Sequence, residues 1–318
     1  MQQYTLNNWF QWYYDDELFG RQDLKNFKKY ANRWNSAVKE YGTYREELRK
    51  TALSTLEHFN GKDLTLCFSG GLDSEIVLRS YLDIGHPIKV IIYRYEDNIN
   101  EHDVHYAVKI CEQLNCPYYI IDFNLKKFFE HDAASMIQIC QVDKPIQLVG
   151  CKLLEITDGI PLLGEGDLLV NMRPVNDPKD NFNYYWAYSE WNGEITREQY
   201  LIHLDKPAIP KWLQWRPEIL LCALESEYTK KLVTLHTQNV YTSRQSKFEL
   251  YSQYFSDLIP REKYTGFENF ETSPINAEFQ KEIIKQNGNG MFGKYAQPHD
   301  RTVKQAINEL RGLSWFSR

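Results

Sequence analysis

The chain has 318 residues, enough for two domains or for one large α/β domain with additions at about 150 residues per domain. Hydrophobic residues make up 42% and charged residues 25%, a globular composition that excludes disorder for most of the chain. The formal net charge of -6 provides no global basic field to draw in nucleic acid, so a nucleic-acid partner is not indicated.

Residues 1–61 are polar, aromatic and lysine-rich, and the opening MQQYTLNNWFQWYYDDELFG lacks a basic segment leading into an apolar one. No apolar run approaches the ~20 residues needed to cross a bilayer. A cytoplasmic protein with no membrane partner is expected. From Tyr44 to Phe59, Leu48, Ala52, Leu56 and Phe59 recur at helical spacing and Asn60-Gly61 closes the segment, so 1–61 is predicted to be a helical N-terminal region.

The pattern changes at residue 62. DLTLCF (63–68) reads as a strand, residues 75–85 as a helix ending at Gly85, and PIKVIIYRY (87–95) as a buried parallel strand. Residues 102–115 read as a helix, PYYIIDF (117–123) as a strand, and IPLLGEGDLLV (160–170) as a strand with its exit loop. Strands alternating with helices of ten or more residues predict a Rossmann-like parallel sheet over 62–171. Residues 172–215, with clustered Pro, Asn, Asp and Trp, are predicted to be an irregular aromatic-rich insertion. Residues 216–318 are predicted to be mainly helical and to complete the active site, with a loop at 287–290 and a last helix over about 300–311.

Six cysteines are spread thinly (Cys67, Cys111, Cys116, Cys140, Cys151, Cys222) with no CxxC pair, which reads as reduced, buried thiols. His102 and His105 share a helix face at i, i+3, and without a third convergent ligand a solvated polar face is the better reading.

The chemistry is concentrated in Ser69-Gly70-Gly71-Leu72-Asp73-Ser74, set between a strand and a helix. Two glycines let the backbone approach a ligand closely and adopt φ > 0. Their N–H groups, with those opening the helix at Asp73 and Ser74, form an anion cradle, to which Ser69 and Ser74 add hydroxyls. A carboxylate inside a phosphate cradle would repel the ligand unless a cation lay between them, so Asp73 is read as a Mg²⁺ ligand. The string is neither a GK[ST] phosphate loop nor GxGxxG.

SGGLDS resembles the pyrophosphate-binding loop of the N-type ATP pyrophosphatases, the PP-loop superfamily that includes asparagine, GMP and NAD synthetases and the tRNA thiolation enzymes. The resemblance implies a fold of the adenine nucleotide alpha hydrolase type with helical additions at both ends. It also implies ATP and Mg²⁺ as cofactors and cleavage of ATP between the α and β phosphates, so that a substrate oxygen is adenylated and a nucleophile displaces AMP. Gly164-Glu165-Gly166-Asp167 is similar to the GEGxDE of asparagine synthetase and β-lactam synthetase, where the aspartate helps to hold Mg²⁺. Here the aspartate falls one residue early and Leu168 replaces the glutamate, and a plain acidic turn is the competing reading. Leu258-Ile-Pro-Arg-Glu-Lys263-Tyr-Thr-Gly266 resembles that family's LPxxxxRxK segment, which would make Lys263 the lysine that stabilises departing pyrophosphate. The alternative is a solvated Arg/Lys turn. Trp215-Arg-Pro217-Glu218 adds weak support, because Pro with Glu behind it is ordinary helix capping.

By the same resemblance, Tyr93-Arg94-Tyr95 is expected to lie against adenine, with a phosphate as the other partner open to Arg94. Gln141 and Lys144 fall where the family places substrate-contacting residues. The stretch 183–191, NYYWAYSEW, is either a wall of the acceptor pocket or an aromatic packing cluster. The matching order of elements covers roughly residues 45–270.

No glutaminase domain is expected ahead of residue 69. Ammonia or an amine is then expected from solution, from a separate nitrogen-donor protein, or from the substrate. The implied activity is an AMP-forming ligase that makes a C–N bond on a small-molecule or macromolecular acceptor. Two other readings stand beside it: sulfur transfer to a nucleobase, and a nucleotide-binding protein without turnover. The first would need a catalytic cysteine pair, and Cys111 and Cys116 lie at opposite faces of one helix end. A relative that makes deazaguanine bases would carry a C-terminal cysteine set for zinc, which this sequence lacks.

Overall fold

The computed structural model describes residues 9–14, 17–18, 30–140, 142, 145–165, 170–174, 184–188, 195–230, 243–261, 267–287 and 301–313. The first elements are strands: β1 (Phe10–Tyr14), β2 (Glu17–Leu18) and β3 (Tyr30–Trp34) form an antiparallel sheet in the order β2-β1-β3. The predicted helical region therefore holds for its second half only. FQWYY and YANRW are short and aromatic-rich, which suits cross-strand pairing better than a helix. Phe10 stands opposite Trp34, and Trp9 meets the Trp34 ring edge-on at 5.7 Å. Trp9 Nε1–H donates to Gln214 O at 3.0 Å and so fastens this sheet to the body. Helix α1 (Tyr44–His58) follows the predicted periodicity. Thr43 and Glu46 close a reciprocal capping box at its start, and Leu48 and Ala52 are buried.

The α/β core is as predicted. It runs β4 (Leu64–Cys67), α2 (Leu72–Asp83), β5 (Lys89–Tyr95), α3 (Glu101–Gln113), β6 (Tyr119–Phe123), α4 (Ala133–Cys140), α5 (Pro145–Ile156) and β7 (Ile160–Leu162). Its four strands are all parallel in the order β6-β5-β4-β7. This is a Rossmann-like α/β fold. The two-residue period sends alternate side chains to opposite cores. Leu66, Phe68, Val90 and Ile92 join the layer of α1, α2 and α3, whereas Cys67, Ile91 and Tyr93 join that of α4 and α5. The chain steps outward from β4 to β5 and β6, then crosses back to β7 on the opposite side of β4. Such a reversal opens a crevice at the carboxyl ends of the strands, where ligands bind in open α/β sheets.

Beyond β7 the insertion is more regular than predicted. β8 (Val170–Pro174) and β9 (Tyr184–Tyr188) pair antiparallel, and α6 (Ile195–Leu204) follows. Ile209 then bridges Leu162 in parallel, lengthening the sheet edge beside β7. Trp212 is fully buried and donates Nε1–H to Tyr81 Oη at 2.9 Å, and Tyr81 Oη lies 2.7 Å from Thr55 Oγ1. This chain of bonds joins the insertion, α2 and α1, and satisfies the polar ends of two large buried rings. The remaining elements are α7 (Pro217–Glu225), α8 (Ser243–Ser252), α9 (Phe267–Glu271), α10 (Pro274–Asn287), β10 (Arg301–Thr302), which extends the β8–β9 pair, and α11 (Val303–Leu310). The described residues of this last region are mainly helical. No described helix is long and apolar enough to cross a membrane.

All six cysteines are free and buried. Burial pushes the Cys67 thiol up to about 11 and those of Cys111 and Cys222 to about 12. An exposed thiol ionises near pH 8.5, so above that pH the unfolded chain releases protons that the native chain keeps. The contribution of these groups to stability is therefore complete below about pH 8.5 and is lost as the pH rises toward 11–12. Urea unfolding midpoints at pH 7.5, 9 and 10.5 are expected to fall in that order, with little thiol-reagent uptake before unfolding.

Candidate active site

The predicted phosphate loop lies at the switch point of the sheet, between the end of β4 and the start of α2. Gly70 adopts φ +70° and Gly71 is the N-cap of α2, with no side chain capping the helix. The first intrahelical bond runs from Glu75 N–H to Gly71 O, so the amides of Leu72, Asp73 and Ser74 open the helix without helical partners. Together they present N–H groups and the positive end of the helix dipole. The hydroxyls frame the loop: Ser69 Oγ and Ser74 Oγ lie 3.2 Å apart, and Ser74 donates to Gly71 O at 3.0 Å. Gly71 N–H reaches Ser69 Oγ only at 3.4 Å, a long bond that an anion can replace.

Two glycines are sterically required. A methyl on Gly70 would stand 2.7 Å from Asp103 O and 2.8 Å from Ala107 N in α3, besides forcing a side chain into the left-handed region. A methyl on Gly164, just after β7, would stand 2.6 Å from the Ser74 backbone. The exit of β7 thus packs directly on the first turn of α2. Gly70→Ala is expected to lose at least about 1–2 kcal/mol from φ alone and to show weakened ATP binding, both checked by thermal melts with and without Mg-ATP.

Asp73 meets two side chains from α8. Tyr251 Oη–H donates to its Oδ1 at 2.6 Å, and Lys247 Nζ lies 3.2 Å from its Oδ2. Lys247 and Tyr251 are four residues apart, so one helix face delivers both. The sequence reading missed this pair, because a Lys/Tyr face on a helix is ordinarily solvated or packing surface. Arg261 is the third residue missed: its Nε–H donates to Gly70 O at 2.8 Å and its NH2 group to Glu75 Oε2 at 2.7 Å.

The other expected site residues are less concentrated. Glu165 is ion-paired with Arg197 of α6, and its carbonyl accepts from Leu213 N–H at 3.0 Å. Arg94 pairs with exposed Asp122 of β6 at 2.6 Å. The Tyr93 ring turns into the α5 layer, with Oη 2.6 Å from Thr157 Oγ1, and burial raises its pKa. Asn100 occupies two backbone groups at the end of β5: its Nδ2 donates to Tyr93 O at 2.9 Å and its Oδ1 accepts from Tyr95 N–H at 2.8 Å. His102 and His105 are exposed and edge-on to Tyr106. Gln141, Lys144, Asp167 and Lys263, and the side chains of 183–191, lie outside the described residues.

Among the described residues no group of three or more His, Cys, Asp or Glu is placed to hold a metal by itself. Magnesium in ATP-using sites commonly takes one or two carboxylates, with substrate phosphates and water completing its shell. Asp73 fits that role: its carboxylate is one-quarter exposed beside the amide cradle, with Tyr251 on one oxygen and Lys247 on the other. It keeps lone pairs for a cation.

Comparison with known proteins finds likeness in part of the chain. The model of the family "Queuosine biosynthesis protein QueC" matches residues 64–146, from β4 to the start of α5. The 7-cyano-7-deazaguanine synthase of Sulfolobus acidocaldarius is 33% identical over 85 residues. Over this segment the chain is similar to PP-loop ATP pyrophosphatases. That relative is matched over 27% of this chain, and the chain spans only 18% of the relative's own length. NMN synthetase from Francisella tularensis overlays 37% of this chain and 52% of its own at 18% identity, with a TM-score of 0.29. The narrower resemblance to asparagine synthetase is not shown by these matches.

Proposed function

We propose that this protein is an ATP-dependent ligase that forms AMP and pyrophosphate. It adenylates a carboxylate or a carbonyl/amide oxygen and forms a C–N bond with ammonia or an amine. The observation that carries the reading is the uncapped helix start behind the left-handed Gly70, with Asp73, Lys247 and Tyr251 gathered at its mouth. This is an anion cradle with a carboxylate and a cation in contact beside it. A triphosphate with a divalent ion satisfies all three features: N–H groups take phosphate oxygens, Asp73 takes the cation, and Lys247 turns to the charge that develops on the leaving group.

In the first step the substrate oxygen attacks the α-phosphorus, and the bond from that phosphorus to the bridging oxygen breaks. Pyrophosphate carries away the electron pair. In the second step the nitrogen nucleophile adds to the activated carbon, AMP leaves with the electron pair of the C–O bond, and the nitrogen loses a proton to solvent. Bound Mg²⁺ would supply neutralisation of the phosphate oxygens. Lys263, two residues beyond Arg261 in the chain, is assigned a second share of the pyrophosphate charge. Asp167 would complete the metal site, and Gln141 and Lys144 would face the acceptor.

The relative similar to the core is a synthase named for a product bearing a cyano group. This supports C–N chemistry and makes a nucleobase-like acceptor the second reading. No cysteine follows Cys222 in this sequence. The experiment is incubation with Mg²⁺, α-labelled ATP, ammonium and pooled metabolites, including purine and deazapurine carboxylates. Acceptor-dependent AMP and pyrophosphate are expected. ADP as the product would exclude α–β cleavage, and tight ATP binding without turnover would favour the non-catalytic reading.

A further inference from the structure

We propose that Arg261 is the positioning residue that sets the phosphate loop, a role that rests on reading that loop as the ATP site. In a trans peptide the C=O and the following N–H point in opposite directions. The orientation of Gly70 O therefore fixes that of Gly71 N–H. A carbonyl oxygen turned into the cradle would repel phosphate, whereas one drawn outward leaves the amide facing in. Arg261 Nε–H draws it outward at 2.8 Å, on the peptide that follows the left-handed Gly70.

The same guanidinium is tied down on its other edges. NH2 donates to Glu75 Oε2 at 2.7 Å in the first turn of α2, and NH1 donates to Ile259 O at 3.1 Å. The side chains of Arg261 and Glu75 are each 2% exposed, so water does not compete for these bonds. One planar fork thus spans the loop, the helix that follows it and the C-terminal segment. A lysine, ending in a single nitrogen on a flexible stem, cannot hold these three acceptors in one plane. The buried arginine makes the shape of the loop depend on docking of residues 251–261, so that a competent phosphate site forms only when the C-terminal segment is in place.

The test is Mg-ATP affinity by calorimetry beside thermal melting. Arg261→Met is made together with Glu75→Gln, so that no buried carboxylate loses its partner. The double variant is expected to melt within a few degrees of the wild type and to bind Mg-ATP on the order of ten- to a hundredfold more weakly. Binding within twofold of the wild type would overturn the proposal. If the double variant does not fold, Arg261→Lys decides: it keeps a charge facing Glu75 but loses the fork, and wild-type affinity would overturn the role equally. A wild-type protein that itself binds no Mg-ATP would instead sink the reading of the loop, so the two failures are distinguishable.

Discussion

Replacing Asp73 by asparagine is expected to abolish acceptor-dependent AMP release, a loss on the order of a hundred- to a thousandfold or more, while the protein stays folded. The substitution is nearly isosteric. An amide oxygen still accepts from Tyr251, whose hydroxyl bonds Asp73 Oδ1 at 2.6 Å. It no longer offers a negative charge to a divalent ion, nor to Lys247 at 3.2 Å. Both partners are partly exposed, so water can solvate the freed ammonium and little stability is at stake. Melting temperature and AMP release should therefore separate: the first shifts by a degree or two, the second disappears. Equal activity in Asp73→Asn would remove the carboxylate from the chemistry and leave the loop as a binding device.

Glu75→Ala should do the opposite and act chiefly on folding. Glu75 accepts from Arg79 Nε–H at 2.7 Å on one oxygen and from Arg261 on the other, and its side chain is 2% exposed. Arg79 goes on to Asp257 at 2.9 Å, and its guanidinium lies 5.8 Å from the centre of the Phe255 ring. Removing the central carboxylate leaves two buried guanidiniums facing an empty space. Breaking a buried pair in this way costs about 3–5 kcal/mol, a fall on the order of 10 °C in melting temperature. Glu75→Gln retains acceptors for one neighbour and should lose less. A calorimetric scan of the three proteins checks the order, and a Glu75→Ala protein that melts with the wild type would show that the network contributes nothing net.

Those two residues, two apart in SGGLDSE, show what the sequence made legible. The loop was readable because its chemistry is local: glycines, hydroxyls and the opening of a helix lie within six consecutive residues, and strand and helix periods on either side gave it its setting. The parallel sheet was readable for the same reason, since β-branched runs alternate with helical repeats over 62–162. Asp73 stood out as a carboxylate among phosphate-binding groups. Nothing local distinguishes Glu75, which on the helix pattern is simply another acidic residue in a first turn. Its role appears only when Arg261, 186 residues away, folds onto it.

Less was legible where the pattern was short or the partner distant. The N-terminal strands are two to five residues long, too short for a period to assert itself, and pairing across a gap in sequence decides them. Arg94 lies within β5, and the register against β6 sets it beside Asp122, a neighbour 28 residues on that no local pattern shows. The sequence by itself determined the parallel sheet and the glycine loop that opens α2, because each rests on groups a few residues apart. Only the tertiary structure decided which side chains attend the loop. Lys247, Tyr251 and Arg261 reach it from 174 to 191 residues away, and contacts over such separations depend on how helices pack, which no local pattern encodes.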